Sequence, residues 1–269
     1  MRTMHLFAGA GGGLLADLIL GHTPVVAVEW DAYCCQVLRE RAADGWFPGL
    51  HVHEGDVRLF DPSEYAGRVD QIAAGFPCQD ISNAGQRAGL SAGTRSGLYR
   101  EVLRIAGIVR PRYLFLENVA AIVPLLGTVV GDLGAMGYDC RWLCLRASAV
   151  GAPVDRERWW CLAKPDAIMG EARPWRQLSI EEPLFASKGR ADITDRERDW
   201  VEVARAFAGA DDAMADRLHR TEALGNGQVP LQAAVAWKLL GGPSALEQAR
   251  QIRHRPSMRR RSDGIADRP

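Results

Sequence analysis

The chain has 269 residues, enough for one large α/β domain with a small addition. Hydrophobic residues make up 47% and charged residues 25%, and no apolar run approaches the roughly 20 residues that a membrane-spanning helix needs. The N-terminus enters a strand-like segment at once, without the apolar stretch of a signal peptide, so we expect a cytoplasmic protein. The 33 basic and 33 acidic residues cancel, so net charge does not indicate a nucleic-acid partner.

The six cysteines indicate neither a disulfide framework nor a zinc site. Cys34 and Cys35 are adjacent and cannot easily bridge each other, and no CxxC pair is present. Cys140 and Cys144 fall in an alternating run that predicts a strand. We therefore expect no metal.

The chain opens with a strand, a glycine turn and a helix. Residues 3–7 predict the strand, 8–13 the turn, and 14–20 a helix that stops at Gly21. This order is typical of a nucleotide- or cofactor-binding α/β unit, in which glycines let the backbone approach a ligand.

Two further strands deliver acidic residues to their carboxyl ends. The second strand, 23–29, ends in Glu29, and Asp31 then caps a helix that runs to about Ala43. The third strand, 51–57, contains Asp56 near its end. Either acid alone is as compatible with capping or solvent exposure, but the two together favour a nucleoside-like ligand in the crevice at this edge.

A fourth strand, 69–74, leads into Pro77 and Cys78, followed by a polar, glycine-rich segment at 83–97. Pro77 turns the backbone just before the thiol because proline cannot continue a sheet ladder. An isolated cysteine in such a turn is more often a small buried hydrophobe than a nucleophile, so this segment alone leaves both roles open.

The next predicted strand carries an acidic residue to the same edge of the sheet. A helix at 99–110 precedes the strand 112–119, which carries Glu117 and Asn118. A carboxyl group in apolar surroundings has a raised pKa, so Glu117 is a candidate general acid.

The second half predicts a helix at 127–136, a strand at 140–147, and a strand at 154–163 that places Arg156 and Arg158 on one face.

The predicted fold class is α/β, a doubly wound, mostly parallel Rossmann-like sheet with a small appended region. The strand-helix alternation is lost after Lys164, where the main feature is a helical stretch at 194–207, and it returns with a helix at 231–240 opened by Pro230. The predicted units are a large domain at 1–164, a small appended region at 165–216, a return segment at 217–243 that completes the large domain, and a basic, flexible tail at 244–269.

Seven segments, taken in order, resemble the motifs of the cytosine-C5 DNA methyltransferases over about residues 3 to 240. They are 7–12 (cofactor), 29–30 (ribose), 55–57 (adenine), 75–82 (catalytic thiol), 117–119 (Glu-Asn-Val), 156–158 (paired arginines) and 225–226 (Gly-Asn). The resemblance implies methyl transfer from S-adenosylmethionine to C5 of a flipped-out cytosine in double-stranded DNA, with S-adenosylhomocysteine as the product.

The resemblance also implies a role for each catalytic residue. Cys78 would attack C6 of cytosine, Glu117 would protonate or hydrogen-bond N3, and Arg158 would hold O2. Arg156, the first arginine of the paired motif, is the fourth residue expected in the catalytic site. The residues expected to bind the cofactor are Phe7, Ala8, Gly9, Gly11, Gly12, Glu29, Trp30, Asp56, Val57, Pro77, Leu98 and Asn226. Those expected to contact the substrate, several of them on a loop closing over the base, are Gln79, Ser82, Arg87, Arg95 and Asn118.

Three positions depart from the family pattern: His5 stands where an acidic residue is common, Val154 where glutamine is usual, and Gln228 where an aliphatic residue is usual. The resemblance makes 1–164 the catalytic and cofactor-binding domain and 165–216 the target-recognition region, which is short. The short region leaves room for a tRNA cytosine-5 methyltransferase as the first alternative. The second alternative is a catalytically silent DNA-binding relative, against which the presence of Cys78, Glu117 and Arg158 argues. The expected setting is a restriction-modification or phage system, with a monomeric enzyme and a cognate restriction endonuclease as a further partner.

Overall fold

The computed structural model describes residues 1–77, 95–152, 155–165, 178–179 and 227–243, with residues 95, 96, 178 and 179 described by their backbone alone. In these ranges the strands are β1 Arg2–Leu6, β2 Thr23–Glu29, β3 His51–Glu54, β4 Gln71–Gly75, β5 Tyr113–Val119, β6 Tyr138–Arg146, β7 Glu157–Pro165 and β8 Leu178–Ser179. The α-helices are α1 Gly12–Leu20, α2 Ala32–Ala43, α3 Tyr99–Val109, α4 Leu126–Ala135 and α5 Pro230–Leu239.

The strands form one sheet in the order β3-β2-β1-β4-β5-β7-β6-β8. Strands β1 to β5 are mutually parallel, whereas β7 lies antiparallel between β5 and β6. The predicted doubly wound, mostly parallel sheet is confirmed. The chain direction of the crossovers reverses between β1 and β4, and in such sheets the crevice at this reversal is where ligands bind.

Local sequence signals account for several helix ends. Asp31 caps α2 by accepting a 2.8 Å hydrogen bond from the backbone N–H of Cys34. Gly21 ends α1 in the left-handed conformation at φ 71°, which glycine adopts without steric cost. Pro230 occupies the first turn of α5, where a missing N–H is harmless.

The observed elements differ from the predicted ones mainly at their ends. The third strand stops at Glu54 because Asp56 caps a 3-10 helix at Val57–Leu59. Another 3-10 helix, Ala120–Leu125, precedes α4. Strand β7 begins at Glu157, so Arg156 lies just before it. The predicted helix 194–207 and the tail 244–269 lie outside the described residues, and the proposed domain boundaries stay predictions.

The core lies on both faces of the sheet. On β5, Leu114 and Leu116 face the side covered by α3 and α4, while Tyr113 and Phe115 face the side covered by α1 and α5. Trp237 of α5 packs in T-shaped contacts with the Tyr113 and Phe115 rings at centroid distances of 5.5 and 5.3 Å. The return segment is thereby anchored on the same face of β5 as Glu117. No helix within the described ranges is long and apolar enough to cross a membrane.

Candidate active site

The turn after β1 has an unusual backbone. Gly9 and Gly11 adopt positive φ angles of 53° and 95°, and Phe7 does so at 58°. A non-glycine residue in this region is uncommon and is frequently found at functional sites. The turn therefore has the backbone expected of a ligand-binding loop at the carboxyl end of β1.

Glu29 holds this turn from the end of the neighbouring strand β2. Its side chain is 9% exposed. Its Oε2 accepts a 2.7 Å hydrogen bond from the N–H of Gly9, and its Oε1 accepts 2.9 Å bonds from the N–H groups of Trp30 and Asp31. A carboxylate offers about four acceptor positions, so one on Oε2 is left for a ligand hydroxyl. Glu29 thus combines a structural role with the capacity predicted for it.

Trp30 and Asp56 are two further residues predicted to bind the cofactor. Trp30 is 78% exposed, so its indole is accessible to a planar ligand. Asp56 accepts a 2.9 Å hydrogen bond from the N–H of Arg58 and forms an ion pair with the Arg58 guanidinium. These hydrogen bonds lower the pKa of Asp56 and keep it charged. A ligand that bonds to this carboxylate would share it with Arg58.

Glu117 and Arg158 meet through the register of β4, β5 and β7. Glu117 lies beside Gly75 on one side and Trp160 on the other, whereas Arg158 lies opposite Val119. Arg158 is therefore a diagonal neighbour of Glu117 on the same face, within reach of a long side chain. The Nε of Arg158 lies 3.0 Å from Oε1 of Glu117.

The pKa of the Glu117 carboxyl group is raised, as the sequence predicted. Burial is the largest cause, since the residue is only 8% exposed. The charges of Arg158 and Arg156 and a hydrogen bond from the Gln228 side chain oppose this shift without cancelling it. Burial and the neighbouring Arg158 lower the pKa of Arg156.

Arg156 precedes β7 and is half-buried. The amide of buried Gln232 on α5 donates a 3.0 Å hydrogen bond to the carbonyl of Arg156 and a 2.8 Å bond to that of Leu145. The return segment therefore fixes the backbone at the first arginine of the pair.

Asn118, predicted to contact substrate, is 3% exposed. Both the nitrogen and the oxygen of its side-chain amide are hydrogen-bonded to backbone groups. Its Nδ2 donates to the carbonyl of Phe76 at 3.0 Å, and its Oδ1 accepts from the N–H of Val119 at 2.8 Å. Asn118 thus joins the end of β5 to the segment that leads into Cys78. A direct contact with substrate stays a prediction.

Gln228 is the site residue that the sequence did not assign. Its side chain bonds to Glu117 and, together with His5, Phe7, Ala8 and Gly75, it lines a cleft at the switch point. The sequence signal was that glutamine stands here in place of the usual aliphatic residue. This signal does not identify the partner, because Gln228 and Glu117 lie far apart in the chain.

Several predicted residues lie outside the described part of the chain: Cys78, Gln79, Ser82, Arg87, Val154, Asn226 and the side chain of Arg95. Pro77 and Leu98 are half-buried at the two ends of the segment that contains most of them. Within the described ranges, no group of histidine, cysteine, aspartate and glutamate side chains is placed to hold a metal ion.

A family profile described as C-5 cytosine-specific DNA methylase matches residues 1–219. The chain belongs to this family. The Type II methyltransferase M.CviJI of Paramecium bursaria Chlorella virus IL3A is 36% identical over 165 residues, which is 60% of this chain and 42% of the relative. M.NgoMIV of Neisseria gonorrhoeae is 32% identical over 203 residues, or 74% of this chain and 62% of the relative. The matches thus span less than two thirds of these relatives.

Solved structures show the same fold at low identity. The Dnmt2 methyltransferase of S. pombe aligns with a TM-score of 0.53 and 18% identity, covering 70% of this chain and 57% of its own. The Entamoeba histolytica methyltransferase EhMeth aligns with a TM-score of 0.51 and 15% identity, covering 67% and 57%.

Membership of the C-5 cytosine-specific DNA methylase family implies S-adenosylmethionine as the methyl donor. The described residues fit such a group. Glu29 retains an acceptor position for a ribose hydroxyl, Trp30 is accessible to an adenine ring, and an added Cβ at Gly9 would meet no atom within 4 Å. The space beside Gly9 is therefore open.

Proposed function

We propose that this chain is a DNA (cytosine-5)-methyltransferase. The observation that carries the proposal is the buried Glu117 carboxyl group, ion-paired to Arg158 at the sheet edge where β4 leads into Cys78. An acid of raised pKa beside a fixed cation is suited to protonate a heterocycle and hold the charge that develops on it. Family membership supports cytosine as that heterocycle.

In this proposal the Cys78 thiolate forms a bond to C6 of cytosine while Glu117 gives a proton to N3, so the ring becomes an enamine that is nucleophilic at C5. Arg158 stabilises the charge at O2. S-adenosylmethionine supplies the electrophilic methyl group when it is bound. A general base then removes the C5 proton, the bond between sulfur and C6 breaks to restore the thiolate, and N3 returns its proton to Glu117. C6 is not accessible in a stacked duplex, so the base must be flipped out.

Contacts at the end of β4 support a position of the Cys78 thiol close to Glu117. Asn118 fixes the carbonyl of Phe76, and Cys78 follows two residues later. Gly75 lies beside Glu117 in the sheet, so the end of β4 and the acid share one corner. A reactive group just beyond Pro77 would therefore begin close to the carboxyl group.

For the cofactor, we assign the turn at residues 7–12 to the methionine part, Glu29 to the ribose, and Trp30 with the 56–57 segment to the adenine. Asn226, Pro77 and Leu98 are proposed to complete the pocket. We further propose that the enzyme acts on double-stranded DNA as a monomer within a restriction-modification or phage system.

tRNA is the second candidate substrate, since the chemistry would be the same. The predicted recognition region at 165–216 is short, which favours a substrate recognised by shape as much as by a long base sequence.

The test uses labelled S-adenosylmethionine with unmethylated duplex DNA and, in parallel, unmodified tRNA. We expect label in 5-methylcytosine of the DNA, with none for Cys78→Ser, which should still bind the cofactor. A duplex containing 5-fluorocytosine should trap a covalent complex because fluorine cannot leave as a proton does. Transfer to tRNA alone would favour the second candidate, and transfer to neither would reject both.

A further inference from the structure

The Gln228 side chain occupies the space between the acid and the glycine-rich helix α1. An atom placed at the Cβ position of Gly75 would lie 2.9 Å from Oε2 of Glu117 and 3.1 Å from Nε2 of Gln228. The amide nitrogen and this carboxyl oxygen therefore meet over Gly75, where the absence of a side chain leaves room for both. The Oε1 of Gln228 points the other way, 2.6 Å from the corresponding position at Gly13.

The backbone of Gln228 is held in place by close packing. A Cβ at Gly12 would collide with the carbonyl oxygen of Gln228, so α1 and the return segment touch through backbone atoms. Two residues later Pro230 opens α5, whose Trp237 is fully buried. The side chain of Gln228 thus extends from a fixed backbone, and its direction is set by the fold.

We propose that Gln228 is a positioning residue for Glu117, donating from its Nε2 to Oε2 while Arg158 holds Oε1. With a partner on each oxygen, the plane of the carboxyl group is fixed about its last torsion angle, which is otherwise broad. An aliphatic side chain, usual at this position in the family, has no donor to offer. The inference rests on the proposed function only for the statement that Glu117 acts on a substrate.

The hydrogen bond also affects the titration of the acid. The charged groups that face Glu117 are Arg158 and Arg156 on the β7 side, and Gln228 approaches from the α5 side. On the β1 side, His5 lines the same cleft and is bonded to Asp17. A hydrogen bond to the charged form of a carboxyl group lowers its pKa, so Gln228 acts against burial.

The experiment titrates the side-chain carboxyl of Glu117 in the full chain by 13C NMR, with the signal assigned by its loss in Glu117→Gln. Gln228→Met keeps the length of the side chain and removes the donor. We expect the pKa of Glu117 to rise by about 0.5 to 1 unit, the size of one net hydrogen bond. Gln228→Leu provides a second variant if the first does not fold, as judged by its thermal unfolding.

The matched control is Gln36→Met. The Nε2 of Gln36 also donates to a carboxylate, Oε1 of Glu40 at 2.8 Å, but on the exposed surface of α2. This variant loses the same type of bond and should leave the titration of Glu117 unchanged.

The pH dependence of methyl transfer gives a second measurement. If Glu117 is the acid, the alkaline limb of the profile should move upward in Gln228→Met by the same amount as the NMR titration. An unchanged Glu117 titration would overturn the positioning role. A shifted titration in a protein that transfers no methyl group would support the positioning role and reject the proposed function.

Discussion

Glu117 on β5 and Arg158 on β7 form a 3.0 Å ion pair although they do not lie opposite each other across the two strands. The pairing is diagonal, and both side chains are largely buried, with 11% and 20% exposed. Removing one partner from such a pair leaves the other charged and desolvated, which costs several kcal/mol. Variants that test the chemistry should therefore preserve the shape of the side chain and its hydrogen bonding.

Glu117→Gln is the variant that meets this condition. It removes the titratable proton while keeping the size of the side chain, and we expect methyl transfer to fall by about 10²- to 10⁴-fold, the usual contribution of a general acid. Cofactor affinity should be unchanged because Glu29 and Trp30 lie at the end of another strand, β2. The measurements are kcat with labelled donor and calorimetric titration with the cofactor product.

The control for this variant is Glu157→Gln. Glu157 begins β7 one residue before Arg158, but its carboxylate is exposed and lies 3.6 Å from Arg146. An exposed pair of this kind contributes little, so activity should stay within about twofold. Normal activity in Glu117→Gln would contradict the assigned acid.

Glu29→Gln should weaken cofactor binding by about tenfold or more. In Glu29, both carboxylate oxygens accept hydrogen bonds from backbone N–H groups, one from Gly9 and the other from Trp30 and Asp31. The glutamine amide replaces one of these oxygens with an NH2 group, so a donor would face a donor on that side. The glycine turn would lose its anchor and the ligand would lose a ribose acceptor. Calorimetric titration with S-adenosylhomocysteine measures the effect.

Glu54→Gln is the natural comparison for Glu29→Gln. Glu54 lies beside Glu29 in the sheet register, at the end of β3, but pairs on the surface with Arg39 at 2.7 Å. Its affinity should match that of the unaltered protein. Equal affinities for both variants would mean that Glu29 serves the turn alone.

Two glycine substitutions should have opposite effects on stability. Gly12→Ala would push a methyl group into the Gln228 carbonyl, so we expect a loss of about 1 to 3 kcal/mol in the free energy of unfolding. Gly107→Ala, in the interior of α3, meets no atom within 4 Å and should gain about 0.5 to 1 kcal/mol. Urea unfolding measures both, and a gain in each variant would show that the segment at Gln228 is not packed tightly against α1.

Local sequence signals were sufficient for most of the elements but not for the contacts within the site. Strand β2 has the predicted bounds because Thr23 and Glu29 follow and precede clear turn signals, and Asp31 caps α2 as expected. The bond between Gln228 and Glu117 could not be predicted, since it depends on backbone packing at Gly12 and on the empty space above Gly75. Likewise, Asn118 was predicted as a substrate contact, and only the folded structure shows that its amide donates a hydrogen bond to the carbonyl of Phe76.

His5, noted in the sequence only as a departure, belongs to a buried cluster around Asp17 of α1. The carboxylate of Asp17 bonds to Thr3, to Nε2 of His5 at 2.6 Å and to Nδ1 of His22 at 3.1 Å. Burial raises the pKa of Asp17. The electrostatic interactions and hydrogen bonds that Asp17 makes with His5 and His22 lower this pKa by more, so it lies below its ordinary range. The cluster joins β1, α1 and the residue that precedes β2.

Asp17→Asn should therefore lower the free energy of unfolding by about 3 to 5 kcal/mol, as expected when a buried network of a carboxylate and its partners loses the carboxylate. Asp44→Asn, which removes an exposed carboxylate paired with Arg41, should cost less than about 1 kcal/mol. Because the folded pKa of Asp17 is depressed, its stabilisation is present above the unfolded value of about 4 and is lost as the pH falls below it. Urea unfolding between neutral pH and about pH 3 should show the difference between Asp17→Asn and the unaltered protein shrinking with acidity. A difference that stays constant over this range would show that the charge of Asp17 does not stabilise the fold.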